Sequence, residues 1–162
     1  MRRRYVAIAV LVSLLLLGSV AAVPGGRALV VADAETGEQY MTIPVEDGTT
    51  VALEYMHSVE KTRIYDEYTV RGDHLEMTRM EFESFGWGLP SGANVTREDG
   101  VYVFDPPGNY TRVTVSPGDI AGHKLHVGAE TYDLVARTNG RSVDLYVTRR
   151  SAFGAATDQF NT

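Results

Sequence analysis

Past residue 26 the chain alternates between apolar and polar side chains with a period of two, and Gly, Asp, Asn and Pro interrupt it every few residues. That is the pattern of half-buried strands joined by tight turns, and no stretch keeps a helical period. Three hairpins are predicted. In TYDLVARTNGRSVDLYVT, a type I′ turn at Asn139-Gly140 pairs Ala136 with Val143, Leu134 with Leu145 and Tyr132 with Val147. In TVRGDHLEM, a II′ turn with Gly72 at its first position sets Val70 opposite Leu75, Tyr68 opposite Met77 and Asp66 opposite Arg79. Beyond that point the apolar pairing changes sides, with Tyr65 meeting Met80 and Arg63 meeting Phe82, so a bulge is expected near Asp66 and Arg79. Around Asp47-Gly48-Thr49, parity favours a three-residue loop that pairs Val45 with Val51, Ile43 with Leu53 and Met41 with Tyr55. Further short strands are predicted at Val101 to Phe104, Thr111 to Ser116 and His123 to Val127. Nine or ten strands with short links imply an all-β fold: an antiparallel β-sandwich or a partly closed barrel.

The first residues follow a different rule. Met1-Arg2-Arg3-Arg4 is a basic cap, and Tyr5 to Val23 carries no charge. As a helix that run spans about 28 Å, close to the thickness of a hydrocarbon core. The expectation is a cytoplasmic cap at 1–4, a transmembrane anchor at 5–23 and a linker at 24–27. An extracytoplasmic β domain at 28–150 and a tail at 151–162 follow. A signal peptide cleaved within Ser19-Val20-Ala21-Ala22 is the alternative.

Composition narrows the partners. After the basic cap, 12 basic face 21 acidic side chains, a net charge of −9. Only Lys61 and Lys124 among the chain's 15 basic residues are lysines. An acidic, lysine-poor surface fits a protein kept soluble in high salt, as in a halophilic archaeon, and argues against nucleic acid as a partner. There is no cysteine, so neither disulfide nor thiol chemistry is available. Asn94-Val95-Thr96 and Asn109-Tyr110-Thr111 are acceptor triplets for glycosylation in an exported chain.

Two segments stand out as candidate chemistry. His57-Ser58-Val59-Glu60-Lys61-Thr62, followed by Tyr65-Asp66-Glu67-Tyr68, puts an imidazole at the end of a strand, on the face of Val51, Leu53 and Tyr55. Ser84-Phe85-Gly86-Trp87-Gly88-Leu89-Pro90 sets two aromatics among two glycines. These segments resemble the two signatures of the family known as domain of unknown function 1850, in the same order and spacing. Members of that family are small exported proteins, often linked to tripartite ATP-independent periplasmic (TRAP) transporters. The resemblance therefore implies an accessory role beside membrane transporter subunits.

A hydrolase would need a hydroxyl within reach of His57. Ser58 points to the opposite strand face, Ser84 is the better placed, and no G-x-S-x-G elbow is present. A metal site on His57, Glu60 and Glu67 would be held by imidazole and carboxylate alone. His123 and His126 fall on opposite faces of one strand and cannot chelate together. The bland readings are a rim histidine bonded to Glu60 or Glu67, a cross-strand Asp66–Arg79 ion pair, and Phe85 and Trp87 plugging an open barrel end. On balance the chain reads as a membrane-anchored binding module with no cofactor. Its predicted contact residues are His57, Ser58, Glu60 and Glu67 with Ser84, Phe85, Gly86, Trp87 and Gly88. Membrane transporter subunits are the expected partners, and a small-molecule ligand is possible. The alternatives are a hydrolase or metal-dependent enzyme centred on His57, and a purely structural envelope protein.

Overall fold

Strict alternation on a single strand organises the architecture. In the computed structural model of the protein, which describes residues 24–84 and 94–151, strand β4 (Arg63–Arg71) buries Ile64, Asp66, Tyr68 and Val70 and turns Arg63, Tyr65, Glu67 and Thr69 outward. Its neighbours follow its register. Twelve antiparallel strands among the described residues form two sheets that do not close into a barrel.

The larger sheet has the order β11 (Glu130–Asp133), β10 (Lys124–Val127), β3 (Thr50–Met56), β4, β5 (His74–Phe82), β7 (Val101–Phe104), β6 (Thr96–Glu98), and β8 (Asn109–Tyr110) also pairs with β5. The smaller sheet has the order β2 (Gln39–Val45), β1 (Pro24–Asp33), β12 (Val143–Ser151), β9 (Val113–Val115). Leu29 and Val31 from β1 and Val143, Leu145 and Val147 from β12 share one apolar core with Val51, Leu53, Val70, Leu75, Leu125 and Val127 of the larger sheet. The sandwich is thus closed by burial of two inward faces, the main stabilising term for such a fold.

The β4–β5 hairpin matches its sequence pattern closely. Arg71 opposes His74 across the two-residue turn, Val70 opposes Leu75, and Tyr68 opposes Met77. Gly72 has φ 61, as a II′ turn requires of its first residue. The expected bulge is present between Glu67 and Tyr68, but beyond it Asp66 faces Met80, Tyr65 faces Glu81 and Ile64 faces Phe82, in place of the expected Tyr65–Met80 and Arg63–Phe82 pairs.

Two hairpins are replaced by other structures. β2 and β3 do not pair: they lie in different sheets, so the Asp47-Gly48 loop is an arch across the sandwich. Its Gly48 N–H donates to the Val70 carbonyl at 2.9 Å. Alternation told which face of each strand is apolar, and both faces do pack on the core. It did not tell whether the two strands bond side by side or stack face to face. The Asn139-Gly140 hairpin is also absent. After β11 comes a short helix, α1 (Leu134–Thr138), and β12 pairs instead with β9. Asp133 caps α1 by accepting the Ala136 N–H at 3.0 Å, while Leu134 and Thr138, four apart, are buried. Asn139 at φ 52 and Gly140 at φ 73 end the helix. Asn-Gly serves a helix C-terminus and a I′ turn through the same tolerance of positive φ.

Candidate functional site

The end of β3 carries the first signature. Past Met56 the strand stops and residues 57–62 form a closed turn. The His57 N–H donates to the Thr62 carbonyl at 2.8 Å, and the Lys61 N–H returns to the His57 carbonyl at 3.1 Å. The imidazole holds the turn from inside. His57 Nδ1 accepts the N–H of Glu60 at 3.1 Å and of Val59 at 3.3 Å. An Nδ1 that accepts must carry the lone pair, which assigns the tautomer with hydrogen on Nε2. The signature spacing therefore has a local physical meaning: the imidazole does for this turn what an Asx side chain does elsewhere. Lys61 takes the left-handed conformation that closes it, at φ 56.

Thr62 joins the two signatures. Its Oγ1 lies 3.3 Å from the Ser84 Oγ while its carbonyl holds the His57 N–H. Phe85, Gly86, Trp87 and Gly88 lie outside the described residues. Ser58 is exposed on the turn, and Glu60 is half-buried. Glu67 is not gathered with them. It sits four residues along β4 from Arg63, about 13 Å at strand spacing, and its Oε1 faces the Thr78 hydroxyl at 3.4 Å. Asn94 and Asn109 are both exposed.

Beside the turn is a cleft of about 350 Å³ lined by Glu54, Tyr55, Met56, Arg63, Lys124 and the 120–122 loop. The Met56 N–H donates to the Ala121 carbonyl at 2.8 Å and ties that loop to β3. Tyr55 forms the cleft's inner wall. Its ring stacks on His123 at 4.9 Å and its hydroxyl donates to Asp66 Oδ2 at 3.2 Å. Burial holds the His123 imidazole below its ordinary pKa and so favours the neutral ring. Asp66 is 8 % exposed, and its Oδ1 has no hydrogen-bond partner. Burial pushes its carboxyl up to about 6, against a lowering by the Tyr55 hydroxyl. The expected Asp66–Arg79 ion pair is therefore corrected. Asp66 faces inward in step with Ile64 and Tyr68, while the bulge on β5 sets Arg79 opposite the outward Glu67, where it binds Glu81 and Glu98, each at 2.8 Å.

The outer face of the same sheet is a ribbon of alternating charge. Lys124 meets Glu54 at 3.7 Å, Glu54 meets Arg63 at 3.3 Å, and Arg63 meets Glu81 at 3.2 Å. Arg79 then links Glu81 to Glu98. Burial alone would raise Glu81, but Arg79 and Arg63 outweigh it and hold the carboxyl below its ordinary value. His126 lies on this face too. Its Nε2 is 3.6 Å from Glu54, too long for a hydrogen bond, and its Nδ1 is 3.0 Å from the Thr131 hydroxyl. His123 and His126 thus do face opposite ways, one against Tyr55 and the other against Tyr65. Among the described residues, no three His, Cys, Asp or Glu side chains gather closely enough to hold a metal ion.

Sequence reasoning did not single out Tyr55, Ile120 or Lys124. One signal was available: Ile120 is an apolar residue directly after the turn segment Ser116-Pro117-Gly118-Asp119 and before Gly122, outside any predicted strand.

A two-sheet, all-β domain with a histidine-ordered turn joined through Thr62 to Ser84 is the class that the fold and the site define. The model of the family "Domain of unknown function (DUF1850)" matches residues 51–134, just over half of the chain, and the protein belongs to that family. Searches of curated proteins and of solved structures return no match.

Proposed function

We propose that the protein is a membrane-anchored, extracytoplasmic binding module that associates with the membrane subunits of a TRAP-type transporter in a high-salt organism. The supporting observation is how His57 is used. Its Nδ1 is committed to two backbone N–H groups, so the imidazole shapes a recognition loop and does not offer that nitrogen to a substrate proton. The hydroxyls joined to that loop are Thr62 and Ser84, which face each other. The apolar run at 5–23 is the anchor in this reading and lies outside the described residues. No helix among the described residues is long and apolar enough to cross a membrane.

Affinity capture of the full chain from native membranes tests the reading. Transporter membrane subunits should be enriched over a capture with an unrelated anchored domain. Equal recovery from both would overturn it, as would turnover of an ester, phosphate or glycoside that His57→Ala abolishes.

A further inference from the structure

We infer that the partner is held at the end of the larger sheet, by the signature turn and the 120–122 loop, and that the contacting element is an acidic segment with an apolar side chain on a transporter membrane subunit. The inference rests on the function proposed above and adds the place and the chemistry of contact.

Four large apolar residues are exposed among the described residues, and three of them stand at this end: Met56, the last residue of β3, at 38 %, Val59 of the turn at 62 % and Ile120 of the loop at 77 %. The fourth, Tyr110, lies on β8 against Tyr68. Single exposed apolar residues are ordinary, but two on the wall of one cleft, with a third on the turn that follows Met56, mark a contact surface. The Met56–Ala121 hydrogen bond ties the 120–122 loop to the end of β3, so Met56 and Ile120 belong to one surface. Met56, Ile120 and Tyr55 bound the 350 Å³ cleft, which is of a size to take an inserted side chain.

Charge selects the occupant. The domain beyond the basic cap carries −9, but the cleft lining holds Arg63 and Lys124 against Glu54 alone. The chain's other lysine, Lys61, stands on the turn that follows Met56. Lys61 is exposed and forms no ion pair among the described residues, and Lys124 shares its one carboxylate, Glu54, with Arg63. Two cations against one carboxylate in the cleft lining favour a carboxylate next to an apolar side chain, whereas the rest of an acidic surface repels it.

The test uses the full chain in native membranes with a benzophenone amino acid at Ile120 and, as a control, at the exposed Thr42 of β2. The Ile120 probe should form an adduct with an acidic extracytoplasmic segment of a transporter subunit, and the Thr42 probe should not. Ile120→Asp combined with Lys124→Glu should lower capture of that subunit about tenfold or more, with an unchanged melting temperature. An adduct only with lipid, or only with a second copy of this chain, overturns the inference. So does capture that the double substitution leaves unaltered; in that case the function proposed above still stands. Failure of the unsubstituted chain to capture any transporter subunit removes both.

Discussion

The two faces of β4 show how one strand serves two solvents. Its inner row, Ile64, Asp66, Tyr68 and Val70, is buried, and the one carboxylate in it is pushed up to about 6 by lack of water and of a cation. Its outer row meets Glu81 of β5, whose carboxyl Arg79 and Arg63 hold below its ordinary value despite partial burial. Carboxylates one residue apart on paired strands thus move in opposite directions. The difference teaches that on this sheet position relative to the core decides what a carboxylate does.

The largest effect should come from the inner face. Ile64 is 0 % exposed, so Ile64→Ala should cost about 3 kcal/mol in a denaturant titration. Tyr65→Ala, one residue along on the outer face, should cost about 1 kcal/mol or less. Similar costs for the two would abolish the distinction between the faces.

Asp66 sharpens the comparison through pH. Its folded pKa of about 6 lies above the ordinary 3.8, so the folded protein holds the proton more tightly. That favourable contribution is complete below about pH 4 and is lost as pH rises through 6, a change of about 2 to 3 kcal/mol. Asp66→Asn keeps an acceptor for the Tyr55 hydroxyl and removes the buried charge. Its stability minus that of the parent should be positive at pH 7 and shrink as pH falls from 7 to 4. A difference that is constant across this range would contradict the burial argument.

A smaller effect tests the corrected end of α1. Gly140 has φ 73, with no atom closer than the Pro117 carbonyl at 3.8 Å to a built Cβ. Gly140→Val should therefore cost about 1 to 2 kcal/mol through backbone strain alone, read as a lower melting temperature. The smallest effect belongs to the ribbon. Arg63→Met should cost about 1 kcal/mol or less at low salt, and the cost should vanish near 1 M salt, where the screening length is about 3 Å. A cost that persists in high salt would mean that Arg63 packs more than it pairs.

Local chemistry explains what was legible. Gly72, the Val70–Leu75 pairing and the bulge could be read because hairpin partners are close in sequence and parity fixes their faces. The core faces of β2 and β3 were equally plain, but face-to-face stacking satisfies the same parity as side-by-side pairing. The Asn139-Gly140 error has a similar origin. Leu134 and Thr138 fit a period of four as well as of two, and five residues are too few to separate the two periods. At the site, Thr62 meets Ser84 because the two flank the strands of the β4–β5 hairpin. The cleft was not legible, because Ile120 and Lys124 reach β3 only through the pairing of β10 with it.

The central claim is that the joined signatures bind a membrane partner. The most direct measurement is the affinity of the full chain, in lipid nanodiscs, for TRAP-type membrane subunits, before and after His57→Ala. Removing the imidazole leaves the Val59 and Glu60 N–H groups without their acceptor and loosens the turn, while the core is untouched. A measurable complex is expected, weakened about tenfold by the substitution, at a melting temperature within a few degrees of the parent. No complex with the parent chain, or equal affinity for both proteins, would contradict the claim.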